Sequence, residues 1–284
     1  DILRHKNLNI KSDTTKEDTQ IKLYLKQTWS KFLPAAFGGG ILQINLLVDT
    51  ILASLLGFGS VSYLYFADRI AQLPLGIIGI ALSTSLLTSL SKSSAIKDKI
   101  QFSKELILSL KIGLFFSISA AFVFINFSEL FISVLFERGE FNSKETKQTA
   151  QALIAYAVGI PAFIIIKSCQ PAFLAQGNTK TPMYIGLILL ILNIILSFTL
   201  MNYLKHSGIA LATSLVSWIG SIIYIILLIK KDKIAKFKFT FEVDQFNFFS
   251  LILYALKIIL ISFLMIFFMK CISYVLEIYN INQY

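Results

Sequence analysis

The sequence predicts an all-α polytopic membrane protein, and three observations carry that prediction. The chain is 56% hydrophobic, and only 15% of its 284 residues are charged, against roughly 25% in an ordinary soluble domain. With a mean hydropathy of +0.72, a soluble globule would expose apolar patches large enough to aggregate. The apolar residues gather into about seven runs, each long enough to cross roughly 30 Å of hydrocarbon as a helix. The basic residues, finally, alternate between the two sides of those runs.

Residues 1–31 are polar, with scattered lysines and acids. They read as a cytoplasmic arm, disordered or folded as an amphipathic surface helix. The apolar runs fall near 32–57, 60–90, 106–135, 147–175, 182–204, 207–230 and 248–276. The second and last exceed what a crossing needs, so they tilt, kink or continue along the interface. Thr181 as N-cap and Pro182 at the first helical position open the run at 182. The expected organisation is an arm (1–31), a six-helix transmembrane lobe (32–230), a cytoplasmic connection (231–247) and a further transmembrane helix with a tail (248–284). Together they make about seven transmembrane helices.

Lysine and arginine in the connections set the orientation. The arm, 91–105, 176–181 and 230–247 together hold 17 of them, and the opposite side holds five: Arg138, Lys144, Lys147, Lys205 and Lys270. The arm is therefore placed in the cytoplasm. The formal charge of +10 becomes a topology signal facing anionic lipid. Nucleic acid is not an expected partner, because the basic residues are spread over loops and not gathered into one footprint. Cys169 and Cys271 show neither metal spacing nor a disulfide framework and read as small buried residues. The chain begins at Asp1 with no apolar run resembling a signal peptide; it is expected to be a piece of a longer protein.

No phosphate-cradling Gly-rich loop, His-Glu-x-x-His or Gly-x-Ser-x-Gly occurs. The chain is not expected to be an enzyme, and energised work would draw on an ion gradient, the membrane potential or a partner. The informative run is SYLYFADRIAQLPLGIIGIAL, residues 62–82. At helical spacing Ser62, Tyr65, Arg69, Gln72 and Gly76 share one stripe, with Asp68 beside it. An intramembrane arginine costs from about 2.5 to above 10 kcal/mol, so it faces a protein interior or a watery cavity. A structural ion pair with Asp68 or Asp49 is one reading. A second follows from the short uncharged connection at 57–60, which makes the first two runs an antiparallel hairpin. Asp49 and Arg69 then sit at similar depth, with Asn45 one turn from Asp49. On that reading the patch takes a ligand bearing phosphate or carboxylate, matched to the planar donor fork of Arg69.

Asp49, Asn193 and Thr213 carry hard oxygen donors inside spans. Either they hold Na⁺ or a proton between them, or each makes its own interhelical hydrogen bond. No resident cofactor is expected beyond that cation. Gly38, Gly39 and Gly40 after Pro34, and Pro74 with Gly76, mark bends, read as close packing or as hinges. Lys111 and Lys257 lie near span ends and snorkel. Lys167, one turn before Pro171, reaches either a cavity or a loop.

The stretch GGGILQINLLVDTILASLLGFGSVSYLYFADRIAQLPLGIIGIALSTSLLTSLS resembles the seventh and eighth spans of MurJ (MviN-type) lipid II flippases. LFERGEFNSKETKQTAQALIAYAVGIPAF resembles the ninth-to-tenth connection and the tenth span, and PAFLAQGNTKTP and GIALATSL follow in family order. The resemblance covers roughly residues 30–275. It implies the C-terminal lobe of a two-lobed, fourteen-helix transporter of the MOP exporter superfamily. Such a transporter works by alternating access in the bacterial inner membrane. It implies as cargo the undecaprenyl-diphosphate-linked peptidoglycan precursor, moved outward for cell-wall biogenesis and cell shape, and as partners membrane lipids and a missing N-terminal lobe. It also implies that Arg69 is a cavity arginine and Asp68 its acidic neighbour. Gln72 stands where some members carry glutamate, and of two final helices lining a groove for the lipid tail only one is clear. The alternatives are export of another lipid-linked glycan or of drugs, or a non-transport scaffold of the wall-synthesis complex.

Overall fold

The computed structural model describes the backbone of residues 2–229 and 248–281, and side chains within 20–229 and 250–272 apart from those of 27, 31 and 42. The predicted connection at 231–247 and the last three residues lie outside the described residues. Everything described is helix or short turn. The elements are α1 (Ile2–Ser54), α2 (Ser60–Pro74), a π-helical turn (Leu75–Gly79), α3 (Ile80–Ala95), α4 (Lys99–Phe136), α5 (Ser143–Leu174), α6 (Lys180–Ile229) and α7 (Phe248–Ile281). α1 passes without a break from the polar arm into the first apolar run.

Six stretches of helix, among the described residues, are long and apolar enough to cross a membrane. One of them, α6, has 50 residues and reverses direction at Lys205, where φ is 53° and ψ −134°. Eight residues along a straight helix span about 12 Å, yet a Cβ on Gly208 would collide with the Leu200 carbonyl. The two limbs, 180–204 and 206–229, therefore run antiparallel, and the described residues make seven passes. The second pass bends as its length requires: Pro74 lacks the N–H to continue the ladder, and the π turn follows it at once.

α5 is the hub. Its apolar window is 72% buried, and its inward positions include Ala150, Ala152, Ala155, Ala157, Gly159 and Ala162. Small residues let backbones approach where lipid supplies no hydrophobic drive between helices. A Cβ on Gly159 would lie 2.6 Å from Ser214 Oγ and 2.9 Å from Ser214 Cα. Ser214 uses the closeness to donate to the Ala155 carbonyl at 2.6 Å, and Trp218 Nε1 donates to the Val158 carbonyl at 3.0 Å. The apolar core divides along α5 into two clusters. One joins α2 to the early part of α5 through Leu64, Ile70, Leu153 and Ile160. The other joins α4, the late part of α5 and α7 through Leu106, Phe173 and Ile258.

Three expectations need correction. The cap before α6 is Asn178, not Thr181: Asn178 Oδ1 accepts from Thr181 N at 3.1 Å, and its amide donates to Thr181 Oγ1 at 2.9 Å. Asparagine at an N-cap accepts from the N–H three residues ahead and leaves Thr181 as the capped residue. Cys169 is fully buried, whereas Cys271 is exposed near the end of α7, where no further described helix covers it. α1 ends at Ser54, with the turn closed by Gly59 at φ +88°, so the first hairpin connection is longer than expected.

Candidate functional site

α2 carries the stripe that the sequence singled out. Leu64, Ala67, Ile70, Ala71 and Pro74 are buried, because that face packs into the core along α5. Helical geometry turns the other face away. Ser62, Tyr65, Arg69, Gln72 and Gly76 are all exposed on it. The Arg69 guanidinium lies over the Tyr65 ring, 4.8 Å from its centroid. Asp68 is half-buried at the edge of the stripe and accepts a hydrogen bond from the Gln72 amide.

Arg69 makes no ion pair within 4 Å to another described residue. Its charge is left to Tyr65 and to the longer-range field of Asp68. No ion pair within 4 Å joins Arg69 to Asp49. With α1 ending at Ser54, Asp49 lies about 8 Å from the end of its helix and Arg69 about 14 Å from the start of α2. Asp49 also points elsewhere.

Asp49 is 8% exposed and faces α6. Asn193 Nδ2 donates to Asp49 Oδ1 at 2.8 Å and also to Asn45 Oδ1 at 2.9 Å. Thr213 Oγ1 lies 3.2 Å from Asp49 Oδ2 and 3.3 Å from Asn193 Oδ1. α1, parallel to the first limb of α6, brings Asn45 and Asp49 to Asn193; the hairpin at Lys205 then folds Thr213 back onto it. The structure thus joins Asp49, Asn193 and Thr213, and it moves Asn45 from the hairpin patch into this second cluster. Sequence reading missed Ser197, one turn beyond Asn193. Its hydroxyl is fully buried beside the Asp49 carboxylate, with no hydrogen bond shorter than 3.5 Å. The signal was its i+4 spacing on the same face.

The donor set suits a small hard cation: a carboxylate, two amide oxygens and two hydroxyls, with no soft ligand. Among the described residues no group of three or more His, Cys, Asp or Glu is placed to hold a metal ion. In the observed arrangement the Asn193 amide bridges two oxygens, Asp49 Oδ1 and Asn45 Oδ1. Turning that amide over would present its oxygen to the same space, where the buried Ser197 hydroxyl beside Asp49 adds a further oxygen donor.

The bend elements are distributed as follows. Gly38 packs on α6, with a Cβ position 3.8 Å from Met183 Cα, while Gly39, Gly40 and Gly76 have open space. Pro74 is buried at the start of the π turn. Lys111 reaches the Tyr254 ring, 5.9 Å from its centroid, and Lys257 is exposed. Lys167 lines a cavity between α1, α5 and α6.

Comparison with known proteins gives a consistent answer. A family model described as lipid II flippase MurJ matches residues 11–283. A probable lipid II flippase MurJ of Rickettsia prowazekii (strain Madrid E) is 40% identical over 185 residues, which is 65% of this chain and 36% of that protein. The counterpart in Buchnera aphidicola subsp. Acyrthosiphon pisum (strain APS) is 34% identical over 254 residues, 89% of this chain and 48% of that protein. A solved lipid II flippase MurJ in an inward closed conformation superposes with a TM-score of 0.64 at 32% identity, covering 85% of this chain and 54% of that one. An outward-facing multidrug resistance MATE transporter of the MOP superfamily shares the fold, with a TM-score of 0.63 at 16% identity over 81% of this chain and 50% of that one. The chain spans about half, or less, of the length of these proteins.

Proposed function

Because the chain belongs to the MurJ family of lipid II flippases, we propose that it forms the C-terminal lobe of a transporter that moves a lipid-linked peptidoglycan precursor across the bacterial inner membrane by alternating access. The observation that carries the reading is Arg69. A guanidinium on a membrane-spanning helix, exposed and without an ion-pair partner, does not face lipid, because that placement is too costly. It faces a cavity completed by the other lobe, and its donor fork matches a diphosphate.

The residues take distinct roles in this reading. Arg69 binds the diphosphate of the carrier. Tyr65 holds the guanidinium flat against its ring, and Asp68, tied to Gln72, keeps a counter-charge nearby without closing an ion pair. The π turn with Pro74 and Gly76, and the glycines 38–40, let the two hairpin helices bend as the lobes rock. The chain carries out no bond-making step; its work is binding and movement. Residues 1–31 lie on the cytoplasmic side, in keeping with the basic bias of the connections.

Asp49, Asn193 and Thr213, with Asn45 and Ser197, would hold Na⁺ or accept a proton. Such a charge would supply neutralisation of Asp49 and a link between α1 and both limbs of α6. The buried Ser197 hydroxyl beside the carboxylate supports this reading.

The test is complementation. In the protein as its gene encodes it, Arg69→Ala abolishes rescue of a flippase-depleted strain while membrane levels stay normal. Full rescue by that variant would remove Arg69 from the mechanism.

A further inference from the structure

A cavity of about 130 Å³ lies between α1, α5 and α6. Asn45, Asn193 and Thr213 form its floor, so it starts at the Asp49 cluster. It runs from there to Gln170 and Pro182, beside the connection between α5 and α6 at 175–179. A single water needs about 10–15 Å³ of such space and two to four polar partners; the walls are mostly apolar, and Asn45, Asn193, Thr213, Ser217, Lys167 and Gln170 supply the polar positions.

Its wall carries one cationic side chain, Lys167. Lys167 is half-buried, and no ion pair or hydrogen bond joins it to another described residue. Its stem is braced by the π turn. A Cβ on Gly79 would lie 3.7 Å from Lys167 Cγ and 3.2 Å from Ile164 Cδ1, so the glycine leaves the space that the stem occupies. A lysine lodged in a membrane-spanning helix without a partner is tolerated where water reaches it. Polar floor, mostly apolar shaft and unpaired lysine therefore describe one feature: a narrow path between the 175–179 end and the middle of the lobe, along which the polar groups can hold water.

We infer that this cavity is the exchange path of the Asp49 cluster and that Lys167 is an electrostatic gate on it. A small monovalent cation travelling to Asp49 passes a resident positive charge, which slows cations and favours anions at the mouth. The cluster then exchanges its ion with the 175–179 side and not through the face that carries Arg69. The inference rests on the cation reading above, and the test separates the two.

The protein as its gene encodes it is stripped of cysteines, including Cys169 and Cys271, and given one cysteine by Gln170→Cys or Ser217→Cys, both positions lining the cavity. Sealed vesicles of each orientation are treated with small cationic and anionic methanethiosulfonates. Both cysteines are expected to react only from the 175–179 side. The anionic-to-cationic rate ratio is expected to fall about tenfold on Lys167→Met, to persist in Lys167→Arg, and to be unmoved by Lys111→Met. Lys167→Gln replaces Lys167→Met if the latter does not reach the membrane. No reaction at Ser217→Cys from that side overturns the path, and an unchanged ratio in the neutral variant overturns the gate. Na⁺ protection of Ser217→Cys that disappears in Asp49→Asn supports the cation reading. Labelling with the expected ratios but no protection by Na⁺ in the parent upholds the path and removes Na⁺ from the site.

Discussion

Asn193 on α6 donates its amide to the Asp49 carboxylate on α1 at 2.8 Å, in a site where Asp49 is only 8% exposed. Removing one partner of a buried charge-assisted hydrogen bond costs about 1.5–3 kcal/mol. Asn193→Ala is therefore expected to lower the thermal midpoint of the purified protein clearly, while Asp49→Asn, which removes the charge and keeps the shape, lowers it less. Thermal unfolding in detergent checks the order. A loss in Asp49→Asn as large as that in Asn193→Ala would contradict this order and mean that the bond depends wholly on the carboxylate charge.

Gly159 meets Ser214 across the α5–α6 contact, with a Cβ position inside van der Waals distance of the Ser214 backbone. Gly159→Val should force the helices apart and destabilise by about 1–3 kcal/mol. The Ser214 bond to the Ala155 carbonyl is lost with it. Gly39→Val, where nothing lies within 4 Å, is the matched control and should not lower the unfolding midpoint.

Lys205 holds a φ of 53° at the α6 reversal, a region that costs a non-glycine residue about 1–3 kcal/mol. Lys205→Gly is expected to be neutral or stabilising by about 1 kcal/mol, because glycine removes that cost but adds freedom to the unfolded chain. Lys205→Pro should break the hairpin, since proline cannot adopt that φ. Thermal midpoints of the two variants test this.

How far the sequence carried the structure differs by level. The seven passes were legible because lipid demands long apolar helices, and Lys205-His206-Ser207-Gly208 interrupts the apolar run where α6 folds back. The stripe of Tyr65, Arg69 and Gln72 was legible too, since helical spacing alone puts those residues on one face. Azimuth was not. The direction α1 presents Asp49 is set by its packing on α6, which no spacing within α1 reveals. So the expected single patch of Asp49 and Arg69 resolves into two sites, one facing α6 and one facing away. Ser197 escaped notice because a serine in a helix ordinarily bonds its own backbone, and only the fold shows that its buried hydroxyl lies beside Asp49.

The π turn at Leu75–Gly79 adds one residue to a helix that would otherwise run straight. Deleting Ile77, an exposed residue of that turn, should restore α-helical register and rotate α2 by about 100° relative to α3. Arg69 then leaves its face. The deletion is expected to reach the membrane and fail to complement a flippase-depleted strain. Normal growth would show that the turn does not aim Arg69.

Tyr65 supports the guanidinium through its ring at 4.8 Å. Tyr65→Phe keeps the ring and should bind carrier lipid as the parent does. Tyr65→Ala should bind about two- to fivefold more weakly, the worth of an exposed cation–π contact. Equilibrium binding of undecaprenyl diphosphate to the purified protein distinguishes them.

The most direct test of the account is the affinity of the purified, complete protein for lipid II with Arg69 intact, as Arg69→Lys, and as Arg69→Ala. Loss of a charge-assisted hydrogen-bond pair to a diphosphate predicts binding about ten- to a hundredfold weaker for Arg69→Ala. Arg69→Lys should fall between, because lysine keeps the charge and loses the planar fork. Undiminished affinity in Arg69→Ala, in a protein that folds normally, would contradict the assignment of this stripe to the substrate.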